Sequence, residues 1–393
     1  MKKTIRDVEL AGKKVFVRVD FNVPLNNGVI RDTRRVDSSL ATINYLREKG
    51  AKIILASHLG KPKGADPELS LAPVAKLLSE RLESPVIFHS TPEVVDDEVR
   101  RLVDGMKEGE VILLENTRYD VGETKNDREL AEKFASLADI FVNDAFGTAH
   151  RAHASNVGVA EILPVKVSGF LIEKELKYFY EALDSPQRPF LAILGGAKVS
   201  DKIKVIENLL DKVDEIVVGG AMAYTFMKAL GHSVGTSLVE DDMVDYAKKI
   251  LEMAEEKNIA FHLPVDFAVA KEFADLPPVY TEGRDISSDS MGLDIGPKSI
   301  ENFKEVIARA RTIVWNGPVG VFEMSNYAKG TGAIARALAD NPGITIIGGG
   351  DSAAAITEMG LDDAMSHIST GGGASLELLE GKELPGIGIL EER

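Results

Sequence analysis

Residues 344–381 read ITIIGGGDSAAAITEMGLDDAMSHISTGGGASLELLEG, and within them one pattern occurs twice. An apolar run, Ile344-Thr345-Ile346-Ile347, meets Gly348-Gly349-Gly350, and Asp351-Ser352 opens an alanine-rich run. His367-Ile368-Ser369-Thr370 then meets Gly371-Gly372-Gly373, followed by a helical ASLELLE run closed by Gly381. Strand, glycine turn, helix is the unit of a doubly wound sheet. Glycines at that junction let the backbone come close to a ligand. They also leave the first N–H groups of the helix, at the positive end of its dipole, facing that ligand. Two such turns suit a phosphate, and they would serve equally as empty tight turns. The rest of the chain has to decide.

Working back from this stretch, the second half repeats strand and helix, with strands expected at 190–194, 215–218, 260–263, 312–315, 344–347 and 365–368. The first half does the same, with strands at 14–19, 52–56, 86–88, 111–114 and 140–142 and helices around 38–49, 71–83, 93–104 and 128–138. Strands alternating with helices imply βαβ units and an α/β fold with parallel sheets covered on both faces. Between the halves, FLIEKELKYFYEAL (residues 170–183) is amphipathic at helical spacing and is stopped by Asp184-Ser185-Pro186. The expected organisation is two doubly wound domains, 1–169 and 186–383, joined by a helix over 170–185. A chain of 393 residues has the length for two domains.

Composition narrows the function. The formal net charge of −16 and 6% aromatic residues argue against nucleic acid or an anionic membrane as partner. With no cysteine, disulfides, thiolate metal sites and cysteine nucleophiles are excluded. The N-terminus has no apolar signal segment, no run is long enough to span a bilayer, and the protein is expected in the cytoplasm as a monomer. An acidic protein that binds anionic metabolites must concentrate its arginines and lysines locally.

Ligands of parallel sheets bind beyond the carboxyl ends of the strands. In the second half those ends carry Gly195-Gly196-Ala197-Lys198, Gly219-Gly220, Asn316-Gly317-Pro318, Gly348-Gly349-Gly350-Asp351 and Gly371-Gly372-Gly373. Lys198 and Lys202 stand four residues apart. On a helix they would share one face, where repulsion between like charges is relieved by a polyphosphate lying between them. Asp351 is placed either to cap a helix or to hold Mg²⁺, which takes one or two carboxylates plus phosphate oxygens. In the first half the strand ends carry Asp20 and Asn22; His58-Leu59-Gly60-Lys61; Glu115-Asn116-Thr117-Arg118; and the segment ending His150-Arg151-Ala152-His153. With Arg35 they give Arg35, His58, Lys61, Arg118 and Arg151 as a basic cluster for a small polyanion. GxxxxGK[ST], the protein-kinase signatures, HExxH and GxGxxG are all absent.

Taken in order, the blocks VDFNVP (19–24), SHLG (57–60), ENTR (115–118), NDAFGTAHR (143–151), LGGAK (194–198), WNGP (315–318), GGGD (348–351) and STGGGA (369–374) resemble phosphoglycerate kinases over essentially the whole chain. The resemblance implies two Rossmann-like domains, the first for 3-phosphoglycerate or 1,3-bisphosphoglycerate and the second for ATP or ADP with Mg²⁺. The tail, 384–393, would return to the first domain. By motif, Asp20, Asn22, Arg35, His58, Leu59, Gly60, Lys61, Arg118 and Arg151 are implied as phosphoglycerate contacts. Gly195, Lys198, Lys202, Gly292, Glu323, Gly349, Gly350, Asp351 and Ser352 are implied at the nucleotide, with Glu323 at the ribose and Asp351 at the metal. Arg35, Lys198, Lys202 and the N–H groups of Gly371, Gly372 and Gly373 would act on the transferred phosphoryl group. The family's HLGRP is HLGKP here, so Lys61 keeps the charge and loses the bidentate fork. Because the two anion sites lie on different domains, a hinge closure is implied. The competing readings are a dinucleotide-dependent oxidoreductase, which wants GxGxxG, and a non-catalytic nucleotide-binding scaffold.

Overall fold

Short apolar runs without alternation make strands buried on both faces. In the computed structural model, which describes residues 1–393, β1 (Lys14–Val19) precedes a small hairpin, β2 (Leu25–Asn26) with β3 (Val29–Ile30). There follow β4 (Lys52–Ala56), β5 (Val86–Phe88), β6 (Val111–Leu113), β7 (Ile140–Asp144) and β8 (Val165–Ser168). Apart from the hairpin they form one parallel sheet in the order β5-β6-β4-β1-β7-β8. Val15, Val17 and Val19 of β1 enter one core with Ile53, Leu55 and Val142. Phe16 enters the core on the other face, with Ile54, Phe134 and Phe141. With β4 on one side of β1 and β7 on the other, the chain winds outward both ways and leaves a crevice at the carboxyl end of β1.

The second half begins with β9 (Phe190–Leu194), β10 (Glu215–Val218) and β11 (Ala260–His262). An antiparallel trio follows, β12 (Phe267–Ala270), β13 (Val279–Tyr280) and β14 (Met291–Ile295), and then β15 (Thr312–Asn316), β16 (Ile344–Gly348) and β17 (His367–Ile368). The parallel sheet runs β11-β10-β9-β15-β16-β17, and the trio pairs separately as β13-β12-β14. The α/β class and the two parallel sheets agree with the sequence expectation. The trio, the hairpin and edge strand β8 were not anticipated. Helix ends also differ: the helix expected from 93 starts at Asp97, because Asp96 caps it by accepting from Val99 N at 2.8 Å.

The chain forms two units, Met1–Leu176 with Glu383–Arg393, and Lys177–Lys382. The division falls inside the helix Phe170–Asp184, so this helix is shared rather than separate. Phe170 packs edge-on against Tyr45 (5.1 Å) beneath the Arg6 guanidinium (4.0 Å), while Tyr178 stacks on His367 (4.8 Å, 4°). The tail is tied to the first unit by Gly386 N donating to Ala149 O (2.8 Å), Asn143 Nδ2 donating to Gly386 O (2.7 Å), and the pairs Lys2–Glu392 (2.6 Å) and Lys3–Glu391 (2.7 Å). No helix is long and apolar enough to cross a membrane.

Candidate active site

In the second unit, four of the five glycine turns converge. The ends of β9, β15 and β16 and the residues after β17 surround a cavity of about 660 Å³, lined by Gly195, Gly196, Lys198, Lys202, Asn316, Gly317, Gly349, Gly350, Asp351, Ser352, Gly372 and Gly373 among others. A side chain at Gly195 would put its Cβ 2.1 Å from Pro318 O and 2.5 Å from Gly317 O, so the first two turns nest backbone on backbone. Gly372 faces the other helix start, where a Cβ would lie 3.2 Å from Gly350 N. The two glycine triplets of 344–381 are thus neighbours at one mouth, each opening a helix, Gly350–Glu358 and Gly372–Leu379. Their first-turn N–H groups have no partner within the helix. Gly371 is the exception: it precedes its helix, and its N–H is directed to Ser369 Oγ at 3.3 Å. The fifth turn, Gly219-Gly220, packs against Val319 and the Gly196 backbone, behind the cavity.

The helical-face reading of Lys198 and Lys202 is corrected by the structure. The helix starts at Ile203, so Lys198 lies in the preceding loop, exposed, and Lys202 is the residue just before the first turn. The loop is held open by Gly196 (φ 116°), whose N–H donates to Pro318 O at 3.0 Å. Both lysines still line the cavity. Lys202 donates to Asn316 Oδ1, and burial pulls its ammonium below the usual lysine range against the opposing pull of Asp201 and Asp351. A partly desolvated cation of this kind is poised for an anionic ligand. Ser352 is buried and accepts from Gly317 N (2.8 Å), tying β15 to β16, while Asp351 stays exposed at the cavity wall. Gly292 and Glu323 lie outside the lining of this cavity. Gly292 is buried on β14, where a Cβ would meet Tyr224 OH at 2.2 Å, and Glu323 is exposed beyond β15.

In the first unit the carboxyl ends of β1, β4, β6 and β7 bring the basic residues together. Arg35 Nη1 reaches Asp20 Oδ2 at 2.8 Å, whereas its neighbour Arg34 engages Asp32 (Nε to Oδ2, 2.9 Å). Asn22 Oδ1 accepts from Gly60 N (2.8 Å), and Arg118 Nη1 donates to Gly60 O (2.6 Å), so the 58–61 turn is gripped from both sides. Lys61, Arg118 and Arg151 line a cavity of about 480 Å³ together with Lys125. Arg118 is buried and its Nε has no partner. Its guanidinium is pulled below the usual range by burial and then by Arg151 and Arg18, which leaves a cation short of anions. Leu59 is in the core at 2% exposure, so only its backbone can reach a ligand.

His58 does not add charge to the cluster. It is 5% exposed, and burial followed by Arg18, Arg118, Arg35 and His153 lowers its pKa well below the ordinary value, so the ring is neutral. Beneath it lies a buried network that the sequence reading passed over. Arg18, fully buried on β1, donates from Nε to Ser155 Oγ (2.7 Å) and from Nη1 to Val19 O, and it lies 3.9 Å from Glu123. Glu123, also fully buried, accepts from Ser155 N (3.0 Å) and from Thr117 Oγ1 (3.3 Å). The signal was available. An arginine inside VFVRV, in a strand expected to be covered on both faces, requires a buried partner.

With this geometry in hand, the comparisons with known proteins are unambiguous. The sequence model of the family "Phosphoglycerate kinase" matches residues 5–382. The chain belongs to the phosphoglycerate kinase family. A phosphoglycerate kinase of Clostridium perfringens is 59% identical over 393 residues, covering 100% of this chain and 99% of its own, and one of Clostridioides difficile is 58% identical over 395 residues, covering 100% and 99%. Among solved structures, the phosphoglycerate kinase of Coxiella burnetii superposes with a TM-score of 0.90 at 43% identity, covering 99% of this chain and 98% of that one. The phosphoglycerate kinase of Pyrococcus horikoshii OT3 does so at 0.84 and 37%, with the same coverage.

Proposed function

We propose that this chain catalyses reversible phosphoryl transfer between ATP and the carboxylate of 3-phosphoglycerate, giving 1,3-bisphosphoglycerate and ADP, as a cytoplasmic enzyme of glycolysis. One observation carries the reading beyond family membership: two anion-ready cavities of different make. One is a mouth of backbone N–H groups with Lys198 and Lys202; the other is lined by Lys61, Arg118, Lys125 and Arg151, next to the 58–61 turn that Asn22 holds through Gly60. The first suits the phosphates of a nucleotide and the second a small phosphorylated acid.

A carboxylate with pKa near 4 is ionised at neutral pH, so the acceptor needs no general base. The residues' task is to position and neutralise charge. Arg35 is assigned to the substrate carboxylate and the group moving onto it, Lys61, Arg118 and Arg151 to the remote phosphate, and Asp20 and Asn22 to orientation. His58 and the backbone of Leu59 and Gly60 complete that contact set. Lys198, Lys202 and the amides of Gly372 and Gly373, with Gly371 shaping the turn, face the transferred phosphoryl group. Gly195 and Gly349, Gly350, Asp351 and Ser352 hold the nucleotide phosphates, while Gly292 and Glu323 serve its nucleoside end. No cluster of three or more His, Asp or Glu side chains could hold a metal unaided. A lone exposed carboxylate, Asp351, at the rim of a phosphate-sized cavity fits Mg²⁺ held mainly by the nucleotide. When bound, the ion supplies charge neutralisation to the nucleotide phosphates. Transfer then requires closure of the two units on each other, as a hinge. The partners are these small molecules alone, and the chain acts as a monomer.

Neither the oxidoreductase nor the scaffold reading is favoured. ATP and 3-phosphoglycerate with Mg²⁺, followed for ADP, test the assignment: acceptor-dependent ADP release is expected. A folded chain that releases none would restore the scaffold reading.

A further inference from the structure

The strongest unassigned feature is the contact between Arg18 and His58, where Arg18 Nη2 lies 3.2 Å from His58 Nδ1. A guanidinium has only donors. At that distance His58 Nδ1 must therefore be the acceptor, and the proton of the neutral ring must sit on Nε2. Nε2 makes no hydrogen bond within the protein, and His58 stands next to Leu59 and Gly60 in the turn that Asn22 and Arg118 grip. Arg18 is itself fixed. It is fully buried, held through Nε by Ser155 and through Nη1 by Val19 O, with Glu123 as its nearest carboxylate. Arg18, Arg118, Arg35 and His153 all oppose an imidazolium at His58, after burial itself, while the carboxylates of this cluster are engaged elsewhere, Glu123 near Arg18 and His153 (3.9 Å each) and Asp20 on Arg35.

Given the reading of the strand ends of the first unit as the phosphoglycerate site, we propose that Arg18 is a positioning residue that locks His58 as the Nε2–H tautomer, so that the ring offers a hydrogen-bond donor to the anionic substrate. Such a donor keeps its form when the pH changes, unlike a free histidine, and it adds no charge to a cluster already rich in cations. Arg18 acts through His58 and is not required to touch the substrate.

Long-range ¹H–¹⁵N correlation spectra of the full chain test this, with His58 assigned by the loss of its signals in His58→Gln. The expected pattern is a pyridine-like Nδ1 and a pyrrole-like Nε2, unchanged from about pH 8 to about pH 5, with the Nε2 signal moving on addition of 3-phosphoglycerate. In Arg18→Met the ring begins to titrate in that range, and the KM for 3-phosphoglycerate, relative to wild type, changes several-fold with pH. Glu123→Gln destabilises the same network but leaves the guanidinium, so it lowers Tm while keeping the tautomer and the pH profile. A proton on Nδ1 in the wild type, a wild-type His58 that titrates in the ordinary histidine range, or an Nε2 signal indifferent to 3-phosphoglycerate in an active enzyme would each overturn the assignment. ADP release judges the functional reading separately, so the two can fail independently.

Discussion

Lys202 and Asn316 are joined by a hydrogen bond from the ammonium to Oδ1, which links the residue opening the helix Ile203–Leu209 to the end of β15. The bond aims a partly desolvated cation across the cavity mouth toward the glycine turns of 344–381. Lys202→Met should lower kcat by about 10²–10³-fold, as expected for removal of one preorganised charge donor, with little change in 3-phosphoglycerate affinity. Asn316→Ala leaves the charge but not its aim. It should cost about tenfold in kcat/KM for ATP, near 1.4 kcal/mol. Steady-state kinetics with each substrate varied checks both.

Glycines of this mouth fall into two kinds, and substitution separates them. Gly195→Ala drives a methyl against the Pro318 and Gly317 carbonyls, so it should destabilise the fold itself by about 1–3 kcal/mol. At Gly350 an added Cβ meets nothing within 4 Å and the backbone is helical, yet the residue lines the cavity. Gly350→Ala should therefore melt within about 0.5 kcal/mol of wild type while binding ATP more weakly. Thermal melts with and without nucleotide distinguish the two.

Asp144 gives the first unit a pH signature. It is fully buried, accepts from the backbone N–H groups of Leu171 (2.9 Å) and Ile172 (3.3 Å), and has an unpartnered Oδ2. Burial raises its pKa to about 7, against the opposing hydrogen bonds from Thr42, Ile172 and Leu171. Because the folded pKa lies above the unfolded one, its contribution is greatest below about pH 4 and is lost as pH rises through about 7. Asp144→Asn, which cannot ionise, should remove up to about 1.4 kcal/mol per pH unit of that slope. Buried Asp294, also raised to about 7 by burial, remains to supply a residual slope in the second unit. Urea titrations at several pH values measure the difference.

Much of this architecture could be read in the chain because parallel-sheet physics writes it plainly: unbroken apolar runs, then glycine or a charged residue, then a helical period. Strands β1, β4 and β9 have the expected bounds, as does β10. What escaped has particular causes. Strands β12 to β14 are short, carry a bulge between Ala268 and Val269, and are separated by polar loops, so no period forms. Spacing alone puts Lys198 on a helix, but the first turn begins only at Ile203. His58 was counted as a cation because a sequence shows residue type and not desolvation. Arg18 was visible yet unread, since its partners Ser155 and Glu123 are more than a hundred residues distant along the chain.

The account rests on charge being positioned for an acceptor that is already ionised, and turnover by Arg35→Ala tests that most directly. Arg35 meets Asp20 at 2.8 Å in the crevice at the end of β1. The variant should keep nearly wild-type ATP affinity while kcat falls by about 10³-fold or more. A near-normal kcat in folded Arg35→Ala would contradict the account.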